Sequence, residues 1–97
     1  MFDTMENGVR AMAKDLLTGF RRDDENTVRE IITEYAPSHE NPTAAYIEHV
    51  SRALDVHPDT VLSESRLPEL VRAIVYFENG SHLADTVINE GVRLAYA

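Results

Sequence analysis

LPELVRAIVYFENG, residues 67–80, is the stretch whose reading decides the fold. Leu67, Leu70, Val71, Ala73, Ile74, Val75, Tyr76 and Phe77 cannot share one stripe, so a helix here is apolar on nearly every side and belongs in the middle of a bundle. Pro68 suits a first helical turn, where its missing N–H would have had no partner. Gly80 suits the left-handed position just past a last turn. The segment therefore predicts a central helix over 67–79 with both ends marked. Glu78 is its odd residue, because a carboxylate in the last turn faces the negative end of the helix dipole at a cost of about 0.3–1 kcal/mol. Two explanations stand: it points to water or pairs with a base such as Arg72 or His82, or it is a desolvated acid beside Tyr76 and Phe77 whose raised pKa would suit proton donation.

The rest of the chain supplies helices to surround this one. Asp3 or Thr4 can cap a first helix whose apolar residues Val9, Met12, Ala13, Leu16, Leu17 and Phe20 recur at spacings of three and four, with Arg10, Lys14 and Asp15 on the other side. Residues 21–26 form a polar connection. Thr27 and Glu30 make a capping box for a short helix with Val28, Ile31, Ile32 and Tyr35 inward, ending before Pro37. After the polar corner 37–41, Asn41 as N-cap and Pro42 at the first helical position open a third helix. Its seam is Ile47, Val50 and Leu54 with Tyr46 and Ala53 beside them, the Tyr46 hydroxyl reaching water at the core edge. Residues 56–60 read as a turn, Val61 and Leu62 as an anchor dropping into the core, and Ser81 or His82 as the start of a last helix. Gly91 lies near the middle of that helix at a cost of about 1 kcal/mol, which close contact with another helix would explain. The expected fold is all-α: a bundle of about five helices around 67–79, with residues 1–97 as a single helical domain.

Composition narrows the function. With 97 residues and no cysteine, the core must hold by packing, without disulfides or thiolate metal sites. Seventeen acidic against nine basic side chains give a formal charge of −8, which opposes direct nucleic-acid binding and attachment to anionic membranes. An acidic domain can instead compete with nucleic acid for a basic groove on another protein. Neither a secretory signal peptide nor a membrane span is expected.

The histidines at 39, 49, 57 and 82 lack the i, i+4 spacing that puts two imidazoles on one metal, and the four dispersed glycines make no phosphate loop, so no metal or other cofactor is called for. Carboxylates are plentiful, and glycoside hydrolysis needs one or two of them at a suitable separation. Glu40–Asn41 and Glu78–Asn79 stand out as carboxylate–carboxamide pairs at helix boundaries that could line one cleft. Helix capping accounts equally well for both asparagines.

Phe2 with GVRAMAKDL (8–16), NTVREIITEYAPSHENPTAAYIEHV (26–50) and LVRAIVYFENG (70–80) together resemble the helical C-terminal portion of phage and prophage lysozyme-like virion structural proteins. The most specific block is AP-x-x-EN-x-T-x-x-Y, here Ala36, Pro37, Glu40, Asn41, Thr43 and Tyr46, followed at the expected distance by AI-x-x-x-ENG. Longer members carry an asparagine-rich RNNNPGNIR-type segment ahead of the first helix, and this sequence has nothing like it. The resemblance implies a phage or prophage origin, one helical lobe of a two-lobed lysozyme-like cleft, and weak or no hydrolase activity. It singles out Glu78 and Glu40 as candidate catalytic residues, with Asn41, Tyr46 and Asn79 as candidate substrate-binding residues. Peptidoglycan, or a protein of the virion or host, is the expected partner, and the virion or host cytoplasm the expected location. The alternative is a non-catalytic acidic module that binds a host or virion protein.

Overall fold

The computed structural model describes residues 5–22, 24, 26–36 and 42–97. Among them the elements are α1 (Met5–Arg22), α2 (Val28–Tyr35), α3 (Thr43–Leu54), a 3-10 turn (Glu64–Arg66), α4 (Leu67–Asn79) and α5 (Asp85–Tyr96). The fold is all-α; the β pairing among the described residues is an isolated bridge between Thr27 and Val61.

Helix α4 packs against α1, α3, α5 and the 3-10 turn, which is the central position its sequence predicts. Leu67, Leu70, Val71, Ala73, Ile74 and Val75 are all buried, a wider face than a surface helix presents. Pro68 lies in the first turn, and Gly80 closes the helix at φ 71°, its N–H donating to the Tyr76 carbonyl. Tyr76 and Phe77 are half-buried, so the last turn emerges from the core and carries Glu78 to the surface.

Helix α1 buries Val9, Ala13, Leu16 and Leu17 as its periodicity requires. It runs on to Arg22, into the segment expected to be a connection. Cations suit a helix C-terminus, and Arg21 is also tied across the molecule to Glu64 at 2.6 Å and lies over the Tyr96 ring. Helix α5 lies tightly against α1. A Cβ built on Gly91 would overlap the Val9 side chain and come within 2.9 Å of the Glu6 carbonyl oxygen. The absent side chain is therefore what lets the two backbones meet. The start of α5 differs from expectation: it begins at Asp85 behind Ala84, which offers no capping side chain. His82, expected as a cap, instead stacks on Tyr76 with centroids 4.2 Å apart.

At α2 the N-cap half of the capping box forms, while the Glu30 carboxylate reaches the Thr27 hydroxyl and the Asn26 N–H rather than the Thr27 N–H. The Thr27 hydroxyl accepts from the Glu30 N–H at 3.2 Å, and the Glu30 carboxylate accepts from the Thr27 hydroxyl at 3.0 Å. The corner 37–41, with the expected Asn41 cap, lies outside the described residues, as do Asp3 and Thr4. Pro42 precedes α3 at ψ 70° rather than opening it, so the helix begins at Thr43, whose hydroxyl donates to the Ala36 carbonyl at 2.6 Å. Two seam expectations are corrected. Ala53 is exposed, with Ser51 in its place, and Tyr46 is only 1% exposed, so its hydroxyl is not wet. Of the anchor pair, Leu62 is buried but Val61 is 68% exposed, because successive residues of an extended segment point to opposite sides.

Candidate functional site

The end of α4 brings Glu78 over α3, where Tyr46 lies buried. The Phe77 ring stacks on Tyr46 with centroids 4.0 Å apart and fixes the phenol from the side. The Tyr46 hydroxyl then donates to Oε1 of Glu78 at 2.9 Å. The carboxylate itself belongs to an exposed residue. A core tyrosine thus sends its one polar atom outward to hold a surface acid.

The electrostatics follow from that contact. The Tyr46 phenol is held far above the usual tyrosine range, first by burial and then by the hydrogen bond to Glu78 and its charge, since a phenolate there would face a carboxylate. Tyr35, the last residue of α2, is raised as well, by burial first and then by the charges of Glu78 and Asp15. Tyr35 also lines an open hollow of about 410 Å³ together with Asp15, Thr18 and Glu34. Helices α2, α3 and α4 therefore place two protonated phenols in the field of one carboxylate. Nothing in the sequence marked Tyr35 beyond its place in an apolar stripe, directly before the AP-x-x-EN block.

Several expectations for this site change. Glu78 is not a desolvated acid, and neither base suggested for it is its partner: Arg72 pairs with Asp85 at 2.7 Å, and His82 stacks on Tyr76. Glu78 accepts the Tyr46 hydrogen bond through Oε1. The Asn79 side chain donates to the Val75 carbonyl at 3.1 Å, so part of its amide closes its own helix. Tyr46 and Glu78 are brought together. Glu40 and Asn41 lie outside the described residues. Among the described residues no group of three His, Asp or Glu side chains could hold a metal ion, and no helix is long and apolar enough to cross a membrane.

The chain is similar to Protein P5 of Pseudoalteromonas phage PM2, at 31% identity over 81 residues, 84% of this chain and 51% of that protein. It thus spans about half the length of this curated relative. The similarity supports a phage origin. No family model matches the sequence.

Proposed function

We propose that this chain is the helical lobe of a phage protein that engages bacterial peptidoglycan, and that Glu78 is the carboxylate it brings to the glycan. The observation that carries this reading is the hydrogen bond from buried Tyr46 to exposed Glu78, which fixes an acid at the surface without covering it. The AP-x-x-EN-x-T-x-x-Y and AI-x-x-x-ENG blocks, which resemble lysozyme-like virion proteins, contain both residues. A longer phage relative, of which the match covers 51%, supports the idea that a second lobe completes the site.

In glycoside hydrolysis one carboxyl group protonates the leaving oxygen while the other stabilises positive charge on the sugar or activates water. Glu78, accepting from Tyr46, fits the second role. The proton donor would then be Glu40 or a group of the second lobe, and one lobe alone would hydrolyse weakly. Asn41 and Asn79 would border the sugar, with buried Tyr46 holding Glu78 from beneath, and the protein would act from the virion.

Turbidity of purified peptidoglycan tests this, comparing the wild-type chain with Glu78→Gln. Slow clearing by the wild type and a loss of about tenfold or more in the variant is the expected result. Equal clearing by both, or none by either, rejects the catalytic role. The exposure of Glu78 also favours a second reading, a non-catalytic acidic module. That reading predicts capture of a virion or host protein at low salt and its release at high salt.

A further inference from the structure

Among the described residues two side chains with a hydroxyl are buried, Tyr46 and Ser51. Tyr46 gives its hydroxyl to Glu78, whereas Ser51, 4% exposed, has no hydrogen-bond partner among the described residues. A helical hydroxyl has an easy alternative, donation to the carbonyl four residues back. Thr18 takes it, donating to the Lys14 carbonyl at 3.0 Å. Ser51 does not use the corresponding carbonyl of Ile47. Alanine would fill this position of α3 without burying a polar atom, so packing does not explain the hydroxyl.

Ser51 lines an open hollow of about 670 Å³, within the range of about 300–1,000 Å³ common for small-molecule sites. Ala44, Ile47, Glu48 and Ser51 recur at spacings of three and four and so form one face of α3 towards it. Val56 and Pro58 make a second wall, and Arg29 of α2 a third. Backbone bonds hold these walls together: the Val56 N–H donates to the Ser51 carbonyl and the Arg29 N–H to the Pro58 carbonyl, each at 3.0 Å.

The charges at the rim are already matched. Arg29 pairs with Asp59 at 2.7 Å, and Arg52 with Glu48 at 2.6 Å. An anion entering the hollow meets both carboxylates and a cation meets both guanidiniums, so a charged ligand has to break one pair to form another. A wholly apolar ligand leaves the Ser51 hydroxyl buried without a partner.

We infer that the hollow between α2, α3 and the 56–58 turn binds a small uncharged molecule, its apolar body against Ile47, Val56 and Pro58 and its one hydrogen-bonding group on Ser51. The Ser51 oxygen is closed to water, so a bond formed there discriminates strongly between ligands that can make it and those that cannot. The exposed Arg52 and Glu48 side chains can swing aside as a pair to admit the ligand. This site is separate from the Tyr46–Glu78 pair and does not rest on the cell-wall reading.

Amide chemical-shift titration of the full chain with p-cresol, toluene and p-toluate tests the inference, since the three share one body and differ in its polar group. p-Cresol should move the amides of Ala44, Ile47, Ser51 and Val56 saturably and bind about three- to tenfold more tightly than toluene, the range one hydrogen bond supplies. In Ser51→Ala, checked for folding by circular dichroism, p-cresol and toluene should bind alike. Ala44→Phe, at an exposed position, sets a ring in the hollow and should abolish the shifts from both. No saturable shift with p-cresol in the wild type, or p-cresol binding that Ala44→Phe leaves unchanged, overturns the site. A preference for p-cresol that survives Ser51→Ala overturns the part given to the hydroxyl, and p-toluate binding more tightly than p-cresol overturns the uncharged class.

Discussion

Replacing Gly91 with alanine isolates the contact that joins the two terminal helices. Alanine is the better helix former by about 0.8–1.0 kcal/mol, so an uncrowded Gly91 would make the variant more stable. The geometry opposes this. The new Cβ would lie 2.5 Å from the Val9 Cβ and 2.9 Å from the Glu6 carbonyl oxygen, and a backbone oxygen cannot rotate away. Overpacking of this kind costs about 1–3 kcal/mol, and this clash, which only parting of the helices can relieve, belongs at the upper end of that range. The net expectation is a loss of about 1–2 kcal/mol once the helix gain is subtracted, which lowers Tm by roughly 4–8 °C per kcal/mol for a domain of this size. Urea unfolding followed by far-UV circular dichroism reads it as a lower midpoint at unchanged slope. Val9→Ala in the same background removes the Val9 Cγ1 but keeps the Val9 Cβ at 2.5 Å and the Glu6 oxygen, so the double variant should stay less stable than Val9→Ala alone. A Gly91→Ala protein as stable as wild type, or a double variant as stable as Val9→Ala alone, would refute the close α1–α5 approach.

Gly80→Ala should also destabilise, by about 1–2 kcal/mol, but for the opposite reason: nothing lies within 4 Å of the new Cβ, and the cost is its left-handed backbone at φ 71°. Gly80→Asn should recover most of that loss in the same urea measurement, since asparagine tolerates this conformation. Thr27→Ala removes the hydroxyl that accepts the Glu30 N–H and should cost about 1 kcal/mol, with faster hydrogen exchange in the first turn of α2. At alkaline pH the raised phenols of Tyr35 and Tyr46 keep their protons in the folded state while the unfolded chain loses them near pH 10. Their contribution is therefore intact below about pH 10 and is lost as pH rises towards the folded values, so stability should fall there. Tyr46→Phe should flatten that fall.

What the sequence revealed and what it hid divide along physical lines. The ends of α4 were legible because proline and glycine act through their own backbones, and the Thr27 cap of α2 because it and Glu30 lie three residues apart. The start of α5 was not, because no capping side chain forms it and His82 was drawn into a ring stack with Tyr76 from another element. Val61 looked like a core residue by composition, yet only its place in an extended segment bridged to Thr27 decides which way it points. At the site, Tyr46 and Glu78 were both singled out, but on separate motifs. That one holds the other is a contact across 32 positions of chain, beyond the reach of periodicity.

The placement of Glu78 against the helix dipole, unexplained in the sequence, has an energetic account. A buried phenol left without a partner costs about 1–3 kcal/mol, and the carbonyls of the surrounding helix interiors are already engaged. A hydrogen bond to a charged acceptor contributes about 1.5–3 kcal/mol, discounted here because the carboxylate is exposed, and still offsets the roughly 0.3–1 kcal/mol dipole penalty. Packing alone could therefore maintain this pair, and for that reason Glu78→Gln is the informative variant. Its side-chain amide keeps an oxygen that can accept from Tyr46 and so preserves most of what the fold requires, while it removes the charge that chemistry on a glycan would require. Stability retained with clearing lost places Glu78 in the reaction; stability retained with clearing unchanged leaves it only as the partner of Tyr46.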